Sequence, residues 1–126
     1  MESLSIGKTN STPSIQFNAD LRVLSLKGES FPENAAKFYS PVLKWIRAFL
    51  NAPDESKINI EFEIIYFNSS TSKIFLTLFE LLEEGSKKGK EISVIWRCDR
   101  ENEIALECGE EFKEEIDKLP FMIEVY

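Results

Sequence analysis

KINIEFEIIYFNSSTSKIFLTLFELLEEGSKKG, residues 57–89, changes its period in the middle. Up to Phe67 the apolar residues alternate. Ile58, Ile60, Phe62, Ile64 and Tyr66 fall on one side and Asn59, Glu61 and Glu63 on the other, the period of a strand. Over residues 72–89 polar positions recur at 73, 77, 80, 84 and 87, the period of a helix. Its apolar side is wide: Ile74, Phe75, Leu76, Leu78, Phe79, Leu81 and Leu82. Between strand and helix stand Asn68 and four hydroxyl side chains, Ser69, Ser70, Thr71 and Ser72. A strand passed directly to a helix is half of a βαβ unit, so this stretch decides for an α/β fold.

Working outward, the same alternation continues. Residues 13–18 and 21–27 read as short strands joined by Ala19-Asp20, a hairpin. GESFPEN, residues 28–34, reads as a loop. Residues 35–50 have helical spacing with Pro41 inside, which either kinks one helix or starts a second one capped by Ser40. EISVIWRC, residues 91–98, alternates again; 101–118 suits an acidic helix with Leu106, Phe112 and Ile116 inward and a break at Gly109; 120–126 ends as a strand. Residues 1–11 look like a flexible polar leader, leaving 12–126 as one domain of order β-β-α-β-α-β-α-β. The strands carry a polar side, with Glu61, Glu63, Ser93, Arg97 and Glu124. A doubly covered parallel sheet would have continuous apolar strands, so the expectation is a mixed sheet with helices mainly on one face.

The net charge of −7 argues against nucleic acid and against anionic membrane surfaces, both of which reward Lys and Arg. Much of the excess lies in residues 99–117, either a solvated helix face or an acidic docking surface for a basic partner. No apolar run is long enough to span a membrane, and the N-terminus has no signal-peptide pattern, so the expected location is the cytoplasm. There is no histidine, which removes the commonest general base and every Ser-His or Cys-His pair. Cys98 and Cys108 match no metal spacing and read as reduced apolar fillers. No phosphate-cradling or dinucleotide motif is present, and no cofactor or metal is expected.

The hydroxyl run has two readings. One hydroxyl suffices to cap a helix; four exceed that need and suggest a modification or anion site. In GESFPEN, Gly28 and Pro32 have structural explanations, whereas Glu29, Ser30 and Glu33 sit where loops at one sheet edge gather. The width of the helix after Ser72 suggests that Phe75, Leu76 or Phe79 lies outside the core as a landing strip, although each also fits the core. Trp45 and Trp96 occupy apolar positions and read as core. Glu61 and Glu63 share a strand face with no sign of a catalytic pocket.

TPSIQF (12–17), LKGESFPEN (26–34), FYSPVLKWI (38–46), IIYFNSSTSK (64–73), VIWRCDRENE (94–103) and CGEEFKEE (108–115) together resemble the SiaC family of bacterial regulatory phosphoproteins. The resemblance implies a STAS-like fold, similar to the antagonists of anti-sigma factors, and control by partner switching. A kinase of the histidine-kinase ATPase type would phosphorylate a Ser or Thr, and a PP2C-type phosphatase would reverse it. The unphosphorylated form would bind and activate a diguanylate cyclase, controlling cyclic-di-GMP and biofilm formation. The family switch has Asn-Thr-Ser-Ser and, one residue later, Lys or Arg; Asn68, Ser70 and Lys73 match it here. The phosphoacceptor carries over by position to Ser69, with Ser70 and Thr71 as alternatives. The expected partner surface comprises Asn68, Ser70, Lys73, Phe75, Leu76, Phe79, Glu29, Ser30 and Glu33. Two other functions fit the same fold: an anti-anti-sigma factor that binds an anti-sigma kinase, and a small-molecule-binding module with a closed apolar pocket.

Overall fold

A computed structural model describes residues 1–126. Its elements in chain order are β1 (Leu4–Ile6), β2 (Ser14–Asn18), β3 (Val23–Ser30), α1 (Ala35–Asn51), β4 (Ile58–Phe67), α2 (Ser69–Lys87), β5 (Ile92–Cys98), α3 (Glu103–Glu115) and β6 (Phe121–Val125). They form one six-stranded sheet in sequence order, antiparallel from β1 to β3 and parallel from β3 to β6. Three crossovers that all advance in the same direction and share the right-handed sense must put their helices on the same face. The one-sided sheet expected from the strand patterns is therefore what forms.

The covered face is the core. Phe17, Leu26, Ile60, Phe62 and Trp96 from the strands meet Tyr39, Ile46, Phe75 and Leu78 from the helices, all buried. The other face carries a row across five strands, Gln16–Ser25–Glu61–Ile95–Met122. Glu61 there lies 3.8 Å from Arg97, which also contacts Glu124 at 3.2 Å, so two carboxylates of this face are tied to one guanidinium.

Four boundaries differ from the sequence reading. Residues 1–11 are not wholly a leader: Leu4 and Ile6 alternate with Ser5 and pair with Phe17 and Ile15, extending the covered face by one edge strand. Three residues of alternation are too short to stand out. Gly28-Glu29-Ser30 belong to β3 rather than to a loop, because a register shift between Gly28 and Glu29, with Gly28 at φ +126°, lets the strand continue beside β4. Pro41 starts no second helix; α1 runs unbroken through it, capped by Asn34, whose side chain accepts from the Lys37 N–H at 3.0 Å. Gly109 likewise does not break α3. A Cβ there would overlap Trp96 Cδ1, so this glycine lets the helix lie directly on the indole.

Candidate phosphorylation and docking site

Asn68 is the residue on which the site turns. It ends the β4 segment in extended conformation, and its side-chain oxygen accepts from the Thr71 N–H at 3.0 Å, capping α2. Its own N–H donates to the Ser30 carbonyl at 3.1 Å, so the start of α2 is tied to the end of β3. The cap is thus supplied by Asn68 and not by a hydroxyl of the run. Those hydroxyls have other roles.

Burial divides the run. Ser69 and Ser70 are exposed, whereas Thr71 is 0% exposed. Thr71 Oγ1 donates to the Ser30 carbonyl at 3.1 Å and lies 2.8 Å from Ser30 Oγ, which in turn lies 2.7 Å from the Tyr39 hydroxyl. This buried chain of three hydroxyls joins α2, β3 and α1. Burial pushes the Tyr39 phenol up to about 12, against a smaller lowering by its bond to Ser30, so the ring stays neutral.

The expected surface is accordingly redrawn. Thr71 is sealed and is no candidate acceptor; Ser30 is sealed beside it and lines no surface. Phe75 and Phe79 are core residues: Phe75 packs on Tyr39, Phe62 and Phe67, and Phe79 on Phe62 and Phe112. Leu76 is only half-buried and packs at the margin of the core. Lys73 and Glu33 are exposed, and Asn68 and Glu29 half-buried, around the start of α2 and the end of β3. The wide apolar side of α2 is used up by the sheet and by α1 and α3, which take more of a helix than one stripe.

The exposed apolar groups lie elsewhere, at the carboxyl ends of the strands. Phe31 (41% exposed) meets Tyr66 (52% exposed) edge to face with ring centres 5.8 Å apart. Ile65 and Ile104, at 58% and 73% exposed, continue from there. Sequence reasoning missed these four, though two left a trace. Ile65 follows Ile64 and so breaks the alternation of β4, and Ile104 is off the inward side of α3 set by Ala105, Gly109 and Phe112. Asn102 fixes this corner: its side chain accepts from the Ala105 N–H at 3.1 Å and donates to the Ile65 carbonyl at 2.9 Å.

The cysteines are not poised for chemistry. Cys98 is buried and Cys108 half-buried, and burial, with neighbouring carboxylates, pushes both thiols up, away from the thiolate. No cluster of acidic or cysteine side chains is arranged to hold a metal ion. No helix is long and apolar enough to cross a membrane.

A one-sided α/β sheet with exposed hydroxyls at a tightly anchored helix start, beside exposed apolar side chains, defines a regulatory domain read through its surface. The chain belongs to the family of SiaC regulatory phosphoproteins, which it matches over residues 6–126. A protein of Pseudomonas aeruginosa (strain UCBPP-PA14) is 35% identical over 126 residues, covering 100% of this chain and 98% of that one. Among solved structures, SiaC of Pseudomonas aeruginosa superposes with a TM-score of 0.92 at 33% identity over 100% of both chains. A structure of the diguanylate cyclase SiaD in complex with its activator SiaC, from the same organism, matches with a TM-score of 0.91 at 35% identity, over 98% of this chain and 99% of that one.

Proposed function

We propose that this chain is a non-enzymatic cytoplasmic switch set by reversible phosphorylation of Ser69. Its unphosphorylated form binds and activates a diguanylate cyclase, as SiaC does for SiaD. A kinase of the histidine-kinase ATPase type adds the phosphate and a PP2C-type phosphatase removes it. The observation that carries this reading is the split in the hydroxyl run: Ser69 is the exposed first residue of α2, and Thr71, two residues on, is locked beneath it.

The site suits a phosphate. The first turn of α2 contains no acidic residue, and its N–H groups and dipole favour an anion. The domain therefore accepts the group without rearranging. A partner does not, because a compact hydroxyl has become a hydrated group of about −1.5 to −2 charge. If burying that group against a partner costs about 4 kcal/mol, affinity falls roughly a thousandfold.

The test is mass spectrometry of the chain after incubation with its kinase and ATP, together with cyclase binding. Label is expected on Ser69, none on Ser69→Ala, and permanent binding by Ser69→Ala. Label confined to Ser70, or equal cyclase binding by the phosphorylated and unphosphorylated chain, rejects the proposal.

A further inference from the structure

We propose that the apolar stripe along the carboxyl edge of the sheet is the seat of a basic amphipathic helix of the output partner. This rests on the reading of the chain as a partner-binding switch and names the chemistry of what it binds. Nine large apolar side chains are exposed, and six of them stand at this edge: Phe31, Ile65, Tyr66, Ile104, Val125 and Tyr126. Scattered exposed apolar residues are ordinary; a contiguous group marks an interaction site.

The stripe is contiguous. Phe31 touches Tyr66. Ile65, Tyr66 and Ile104 line a hollow of about 120 Å³ whose remaining walls include Ala105 and Cys108. That is room for a single aliphatic side chain. Ile65 also lines the adjoining hollow with Tyr126.

The occupant can be narrowed. A strand added to the free side of β6 would run along β6, across the line of the stripe, and at the strand ends themselves the backbone is already paired. The Tyr126 N–H donates to Cys98, the Arg100 N–H to Tyr126, and the Asn68 N–H to Ser30, while the Ile65 carbonyl accepts from Asn102. Recognition must come from side chains, as when a helix lays its apolar ridge in a groove. Around the Ile104 end stand Glu63, Asp99 and Glu101, which line the second hollow, and Glu103 and Glu107 on α3. Arg100 offsets only one of these, and Arg97 is already engaged by Glu61 and Glu124. A second copy of this chain, itself at −7, would meet repulsion. A helix with an apolar ridge and Lys or Arg along one flank fits both the stripe and the acidic rim. The rim lies at the β5–α3 end. Ser69 lies at the other end, tied through Asn68 to Ser30, the neighbour of Phe31, so phosphate intrudes where the ridge and not the basic flank must land.

The experiment is a titration of the full chain with the diguanylate cyclase that it activates. Ile65→Asp and Ile104→Asp should each weaken binding about a hundredfold with an unchanged melting temperature, since both side chains are exposed. The double variant Glu101→Lys/Glu103→Lys should weaken it about tenfold and flatten its salt dependence. Leu21→Asp and Met122→Asp, exposed elsewhere, should bind as wild type. Wild-type affinity in Ile104→Asp, tighter binding by the double variant, or loss in Met122→Asp overturns the assignment. If Ile104→Asp weakens binding but phosphorylation of Ser69 does not, the switch reading fails and the stripe stands; the reverse result spares the switch alone. If no cyclase binds the wild-type chain, the probe becomes an amphipathic Leu/Lys peptide helix against its Leu/Glu counterpart. Binding of the Leu/Lys peptide alone, lost in Ile104→Asp, supports the stripe, and no binding, or equal binding of both peptides, overturns it.

Discussion

Replacing Thr71 by valine keeps the shape of the side chain and removes one oxygen, which makes it the sharpest test of the buried hydroxyl chain. The cost follows from the geometry. Two hydrogen bonds disappear, to the Ser30 carbonyl at 3.1 Å and to Ser30 Oγ at 2.8 Å. The acceptors keep a partner: the carbonyl still accepts from the Asn68 N–H, and Ser30 Oγ still has the Tyr39 hydroxyl at 2.7 Å. Thr71 Oγ1 gives its one hydrogen to the carbonyl, however, so Ser30 must donate to Thr71, and without that oxygen Ser30 and Tyr39 are left with two O–H donors for one bond. One buried donor is stranded at about 1–3 kcal/mol and one further bond is lost at about 1 kcal/mol, about 2–4 kcal/mol in total. In a domain of this size that lowers the melting temperature by roughly 6–20 °C. Ser69→Ala removes an exposed hydroxyl and should stay within about 0.5 kcal/mol of wild type. Calorimetry measures both, and phosphate incorporation by the kinase, assayed well below the lower transition, gives the opposite ranking: full in Thr71→Val, none in Ser69→Ala. A Thr71→Val protein that melts like wild type would refute the energetic reasoning. Label retained in Ser69→Ala but lost in a folded Thr71→Val would refute the division of labour itself.

Gly109→Ala should destabilise the chain, although alanine is the better helix former by about 1 kcal/mol. The new methyl meets the buried Trp96 ring, whose N–H is held by the Ala105 carbonyl at 2.9 Å, and overpacking of that kind costs about 1–3 kcal/mol; a raised urea midpoint would disprove it. Tyr39 gives a pH test. Its folded pKa of about 12 lies above its ordinary value of 10.0, so the stabilisation is complete below pH 10 and is lost as the pH rises toward 12, by about 3 kcal/mol. Urea unfolding from pH 9 to 12 should show that excess slope in wild type and not in Tyr39→Phe; parallel curves would contradict it.

Most of the fold was legible because its evidence is local and repeated. Five residues on one side of β4 announce a strand, and the polar spacing from Lys73 to Lys87 announces a helix. The polar side of the strands foretold which face would stay open. What was not legible depends on contacts distant in sequence. Nothing local marks Leu4–Ile6 as a strand, since its register partners, Phe17, Gln16 and Ile15, lie across an intervening loop and its alternation is one step long. The fates of Ser30 and Thr71 were hidden for the same reason: they are separated by 41 positions and are buried only because Asn68 draws the start of α2 onto the end of β3. Phe75 and Phe79 were misplaced because the amount of helix surface a core absorbs depends on how many elements surround it.

The same geometry limits how many hydroxyls of the run a kinase could reach. Successive helix residues turn by about 100°, so positions two apart point to nearly opposite sides. With Thr71 held against the sheet, Ser69 must face away from it. Ser70 is also exposed, but the two differ one turn later, where side chains at i and i+4 are neighbours. Ser69 is followed there by Lys73, an exposed cation; Ser70 is followed by Ile74, which packs against the core. A phosphate on Ser69 meets a partner charge on its own helix, whereas one on Ser70 lies over an apolar side chain. The sealed threonine thus does more than stabilise the fold: by fixing the rotation of α2, it determines which serine a negative charge can occupy at least cost to the domain.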